Sequence, residues 1–165
     1  MTYICGDCGA EHSEMTRYFM WRVPKISEAE IEEFGFDNEF MCRVGDERHF
    51  INCELALPFK SSNEDPLGFV GWVEVSRDAY IQYGDYRENE SSLQPFDSLV
   101  DGRLANPIPS IPDSLGIPVK FQVVAEDPTP YIVWVQEETS LSTRMRIGAT
   151  PEFWHAASGL TQPGS

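Results

Sequence analysis

Between Phe40 and Pro58 apolar and polar residues alternate on both sides of a turn, and this pattern restricts the fold more than anything else in the chain. Phe40, Cys42 and Val44 recur at every second position, Gly45-Asp46 supplies turn residues, and Ile51, Cys53, Leu55 and Leu57 alternate on the return. A period of two is that of a strand with one buried face, so the segment predicts a β-hairpin that Pro58 closes. A turn at Gly45-Asp46 or one residue later sets even positions of the first strand opposite odd positions of the second. Cys42 and Cys53 then share the apolar face, where a cysteine acts more often as a small hydrophobe than as a ligand.

Three further stretches read as strands. Leu67–Val75 is the most central, with Phe69, Val73 and Val75 on one face and Val70 and Trp72 on the other; Val119–Ala125 and Tyr131–Glu137 are joined by Glu126-Asp127-Pro128-Thr129-Pro130. Helices are short. Ser27-Glu28-Ala29-Glu30 forms a capping box, after which Ile31 and Phe34 can face inward and Gly35 stops the turn. Ser76 or Asp78 caps a helix through Ala79, Tyr80 and Ile81 that stops at Gly84, and 85–98 reads as a polar loop. Pro107, Pro109, Pro112 and Pro118 keep 106–118 extended. Thr139 or Ser140 caps a helix that ends at Gly148, and Pro151 opens a last one. The expected architecture is α+β: a single domain over 1–160, a mostly antiparallel sheet with short helices packed on it, an N-terminal Cys-x-x-Cys knuckle, and a flexible tail over 161–165.

A chain of 165 residues buries roughly 70% of its unfolded surface, enough for a proper core. Its 12 basic and 27 acidic residues give a formal net charge of -15. Such a surface repels phosphate backbones and anionic lipid, so nucleic acid and membrane are not expected partners, and a basic protein is. The competing explanation is solubility alone. Met1-Thr2-Tyr3-Ile4-Cys5-Gly6 lacks the basic, apolar and small-residue order of a signal peptide, and no apolar run is long enough to cross a bilayer, which points to the cytoplasm. Thiols there stay reduced, so the four cysteines read as metal ligands, redox groups or core residues rather than as disulfides.

One compact motif names a chemistry. In Cys5-Gly6-Asp7-Cys8-Gly9 two thiolates converge from one turn, as in half of a zinc ribbon, and His12 follows four residues on. Zinc takes four donors; Cys5, Cys8, His12 and Cys42 are the candidate ligands, with Cys53 or His49 behind them, and the ion would fasten the N-terminal arm to the sheet. The competing explanation is a reduced, unliganded pair. A thiol–disulfide role for Cys5 and Cys8 needs a thiol at a helix start, whereas Gly9-Ala10-Glu11-His12 opens a helix poorly and Asp7 raises thiol pKa values. No phosphate-cradling glycine loop, Gly-x-Ser-x-Gly elbow or His-Glu-x-x-His is present, and carboxylate pairs are uninformative on so acidic a chain. His49 beside the hairpin turn and His155 read as surface or cap residues. Trp21, Trp72, Trp134 and Trp154 read as core, although an acidic rim around an exposed tryptophan would make a protein-binding patch.

Taken in order, Cys5-x-x-Cys8-Gly9-x-x-His12, the Cys42 strand, Leu55-x-Leu57-Pro58, Gly68-x-x-Gly71-Trp72-Val73, Pro95-Phe96, Gly102-x-Leu104 and Arg146-Ile147-Gly148 resemble the bacterial family called domain of unknown function 2199. The resemblance spans about Tyr3 to Leu160. It implies a small cytoplasmic bacterial protein without an assigned activity. The family's histidine-proline pair before the late Ile-Gly is replaced here by Thr139-Ser140-Leu141, so any role of that histidine is absent. The expected function is that of a small acidic binding protein, stabilised by zinc where the knuckle holds an ion, with no catalytic residues; the alternative is an enzyme, metal-dependent or redox-active through Cys5 and Cys8.

Overall fold

A computed structural model gives the fold and describes residues 3–4, 11–12, 18–58, 67–88, 99–124, 129–150, 153 and 156–157. Ten strands are assigned within them: β1 (Tyr3–Ile4), β2 (Glu11–His12), β3 (Tyr18–Met20), β4 (Phe34–Asn38), β5 (Met41–Val44), β6 (Arg48–Leu57), β7 (Leu67–Val75), β8 (Val100–Leu104), β9 (Pro118–Gln122) and β10 (Tyr131–Val135). The helices are α1 (Arg77–Glu88) and α2 (Ser140–Ile147), with 3₁₀ turns over Glu28–Glu33 and Pro112–Ser114.

The expected α+β arrangement, a mostly antiparallel sheet with short helices packed on it, is overturned by a closed barrel. The sheet curls and closes. β6 to β10 form a meander in which each strand pairs antiparallel with the next, and β10 returns to lie beside β6. Five strands make four reversals, an even number, so the first and last strands point the same way and the closing pair is parallel, Tyr131 against Glu54. A backbone bond from the Glu54 N–H to the Pro130 carbonyl, 2.9 Å, supports that seam. The result is a five-stranded barrel whose core is shared with the helices, since Tyr80, Tyr83 and Tyr86 of α1 and Leu141 of α2 belong to the same apolar cluster as its strands. Ile51, Leu55, Leu57, Leu67, Val73 and Phe121 are fully enclosed there. The knuckle expected with the α+β reading falls on residues 5–10, outside the described residues; on either side of it β1 pairs with β2, Tyr3 against His12 and Ile4 against Glu11.

The two longest strands, β6 and β7, each share an outer edge between two partners. β6 pairs with β5 through Arg48–Ile51 and with β10 at Glu54; β7 pairs with parallel β3 at Gly68–Val70 and with β8 at Val73–Glu74. The sheet therefore forks, and β4 and β5 continue beyond the barrel as a flap. β8 lies unusually close to β7 because Gly102 has no side chain: a Cβ there would stand 2.3 Å from Val73 Cγ1 and 2.8 Å from the Glu74 carbonyl oxygen.

The flap hairpin turns over three residues, Gly45-Asp46-Glu47, so that Val44 faces Arg48 and Cys42 faces Phe50. This register, one residue from the predicted one, places Cys42 and Cys53 on opposite faces. Cys53 enters the barrel core. Cys42 joins a second apolar cluster with Val44, Phe50, Trp72 and Ala105, against which Trp21, Ile26 and Phe34 pack. The expected faces of β7 are borne out, with Phe69, Val73 and Val75 in the barrel core and Trp72 in the second cluster.

The 3₁₀ turn after Ser27 has the predicted box: the Ser27 N–H and hydroxyl both donate to Glu30 Oε1 at 3.0 Å. Ile31 is nevertheless exposed, and Phe34 starts β4 instead of ending a helix. Arg48 fixes this turn to the barrel, donating to both oxygens of Glu30 (3.0 and 2.9 Å) and both of Glu74 (3.1 and 2.7 Å). Those bonds hold the Glu30 carboxyl down at about 2, the Ser27 N–H contributing most. α2 begins and ends as predicted, with Thr139 capping the Ser142 N–H at 3.1 Å and Gly148 at φ 85° closing it. Among the described residues no helix is long and apolar enough to cross a membrane.

Candidate functional site: a groove between the flap and helix α1

α1 packs on the face of the sheet that carries Met41, His49 and Ile51. It begins where expected, Ser76 capping the Ala79 N–H at 3.1 Å, but does not stop at Gly84. Tyr80, Tyr83 and Tyr86 recur every three residues and are buried, so one face of a helix continues through the glycine to Glu88. Gly84 serves close approach: a Cβ there would lie 3.3 Å from Met41 Cε.

Between this helix and the 37–41 end of the flap lies an open groove of about 720 Å³. The gap inside the barrel, lined by Cys53, Leu55 and Phe69 among others, is about 10 Å³, room for a single water at most. The groove is thus a place where a larger group can sit, as is a second open groove of about 460 Å³ beside Glu74, Arg103 and Trp134. In the groove beside α1, Asp37, Glu39, Asp85 and Glu88 bring four carboxylates to the lining against the single cation Arg87, and Phe40, Met41 and Ile81 give it apolar surface.

Its polar groups are positioned from several elements. A bulge in β4 between Phe36 and Asn38 breaks the ladder at Asp37. Asp37 Oδ2 accepts from Arg43 Nε at 3.0 Å and from the Tyr80 hydroxyl, while Arg43 Nη1 donates to the Gly45 carbonyl at 3.0 Å and to Asp46 Oδ1 at 3.2 Å. The Phe40 N–H donates to Asn38 Oδ1 at 2.9 Å, which tightens the turn at the groove's lip. Arg87 places its guanidinium carbon 5.2 Å from the centre of the Phe40 ring, inside cation–π range.

Burial, then the bond to Asp37, pushes the Tyr80 hydroxyl far up, so it stays protonated as a donor. Burial likewise pushes Cys42 up to about 12 and Cys53 well above the ordinary thiol value. Neither thiol is poised as a nucleophile at neutral pH.

Of the proposed metal ligands, Cys5 and Cys8 lie outside the described residues, and His12 is placed by its backbone alone, opposite Tyr3. Cys42 is enclosed in the second apolar cluster. Among the described residues no three His, Cys, Asp or Glu side chains gather as a metal site would require. His49 is not the surface residue expected beside a turn: it is buried, against the Tyr80 ring at 4.9 Å. His155 and Trp154 lie outside the described residues; Trp72 is buried, and Trp21 and Trp134 are half-buried. Asp37, Arg43, Tyr80 and Arg87 were not singled out from sequence. Only the tyrosine spacing signals them, since it carries the helix past Gly84.

No curated protein and no solved structure matches the chain. A family model does match residues 4–149, its description reading "uncharacterized protein conserved in bacteria". The chain accordingly belongs to that uncharacterised bacterial family, DUF2199.

Proposed function

We propose that the protein is a small acidic binding protein of the cytoplasm, without catalytic residues, that docks a basic segment of a partner protein in the groove between the flap and α1. The observation that carries this reading is Arg87 on Phe40 among four carboxylates: the groove already accommodates a guanidinium on an aromatic face, the chemistry an arginine or lysine of a partner would use. The net charge of -15 steers such a partner toward the protein. The upward-shifted Tyr80, Cys42 and Cys53 support binding over general-base or thiolate chemistry.

The test is fluorescence anisotropy with a labelled hexa-arginine peptide. Binding should weaken with salt, and by about tenfold when Glu39 and Glu88 are both changed to Gln, the size expected for losing close charge partners. Two exposed carboxylates neutralised elsewhere, Glu32→Gln with Glu137→Gln, should leave affinity nearly unchanged. Equal losses from both pairs would assign the binding to diffuse charge and remove the groove.

A structural zinc ion on Cys5, Cys8 and His12 belongs to the same proposal. The Cys-x-x-Cys-Gly spacing supports it, as does the β1–β2 ladder, which brings the backbone of His12 against that of Tyr3. Cys42 is the weakest of the four candidate ligands, because its enclosed thiol resists the ionisation that zinc binding needs. Metal analysis of chain purified without added zinc should find about one ion per chain, and far less for Cys8→Ser. A ratio near zero in the unaltered protein removes the zinc.

A further inference from the structure

We infer that His49 is a proton-operated latch between the sheet and α1, so that protonation of its ring unseats the helix that walls the groove. β6 places His49 between Arg43 on β5 and Val75 on β7, and the ring packs against that of Tyr80 in the first turns of α1, tilted by 54°. It is 4% exposed. The other buried polar side chains are satisfied: Asn52 donates to the Gly71 carbonyl, Asn106 spans the Trp72 N–H and the Val23 carbonyl, and Ser114 bonds the Ile108 N–H and the Ile111 carbonyl. Among the described residues the His49 ring alone in that set has no hydrogen bond, and a buried polar group left so is a place where a structure can be switched.

The groups that face it come from every neighbouring element. Arg43 on β5 and Arg77 on α1 oppose a second positive charge, while Asp37 on β4 and Asp46 in the turn favour one. Both carboxylates are already engaged by Arg43, and Asp37 by Tyr80 as well. Burial first, then the two guanidiniums, hold the imidazole below its ordinary value and therefore neutral at pH 7. A proton is accommodated when the ring reaches water, and Tyr80 is what covers it. Tyr80 also donates to Asp37, so its departure alters the groove wall at the same time. Control of partner binding by this route rests on the groove reading above; the latch itself is read without a partner.

The experiment is amide hydrogen exchange on the full chain at pH 7.5 and 5.5, corrected for intrinsic exchange rates. Local opening of 77–88 should rise at least about threefold at pH 5.5 while 67–75 changes little, as linkage to a locally opening unit requires. His49→Phe keeps an aromatic ring against Tyr80 and should abolish the rise. Unchanged α1 opening in the unaltered protein, or a rise that persists in His49→Phe, overturns the latch. An NMR titration of the His49 ring needs no variant, and a midpoint at the ordinary histidine value also overturns it. In parallel, hexa-arginine should be released at pH 5.5 from the unaltered protein but not from His49→Phe. Absence of peptide binding at pH 7.5 counts against the groove reading alone, and the exchange result still decides the latch.

Discussion

The barrel interior and the α1 flank are built from the same two strands and share almost no chemistry. Inside, β6 and β7 present Cys53, Leu55, Phe69 and Val73 to Phe121 and Val119, a nearly wholly apolar filling without room for a ligand. On the flank the same sheet carries His49 and, through β4 and β5, Asp37 and Arg43, which meet Tyr80 from the helix. The barrel thus acts as a scaffold, and the groups able to recognise or respond lie where the sheet forks away from it.

Breaking the barrel should have the largest effect. Phe121 is fully buried, so Phe121→Ala should cost about 4 kcal/mol in urea unfolding followed by tryptophan fluorescence, and flank and barrel should unfold together. A loss below about 1 kcal/mol would mean that the barrel is not the stabilising body. Tyr80→Phe separates the regions instead. It removes a donor to a carboxylate that Arg43 still holds, so it should cost about 1.5 kcal/mol, with faster exchange confined to α1. Arg87→Ala should hardly move stability yet tighten hexa-arginine binding about threefold, because the internal occupant of the Phe40 face is gone. Weaker binding would instead make Arg87 part of the recognition surface. The smallest effect is expected at Glu30. Its folded-state carboxyl is depressed from 4.5 to about 2, so its contribution is fully present above pH 4.5 and is lost as pH falls toward 2. Glu30→Gln should flatten the urea midpoint across that window and leave the His49-dependent region below pH 6.5 untouched.

Much of this was legible as elements and little as assembly. Alternation located β5, β6, β7, β9 and β10, and Ser27, Ser76 and Thr139 marked real starts, because those signals are local. Closure depends on Tyr131 finding Glu54, a pairing that no local pattern encodes, and so the α+β expectation contains no barrel. The extra turn residue Glu47 shifted the parity of the flap and moved Cys42 to the other face. The groove was hidden for a related reason. Gly84 reads as a stop by propensity, but burial of three tyrosines outweighs its cost of about 1 kcal/mol, and Asp37 and Tyr80 come together only once the helix lies on the flap.

The parallel seam sets an order of events. Every antiparallel contact in the meander joins strands that follow one another, whereas β10 must travel back past three intervening strands to reach β6, and there it gains a short ladder. Closing that long loop is costly and its reward is small, so the cylinder should be the last thing to form and its seam the first to part under load.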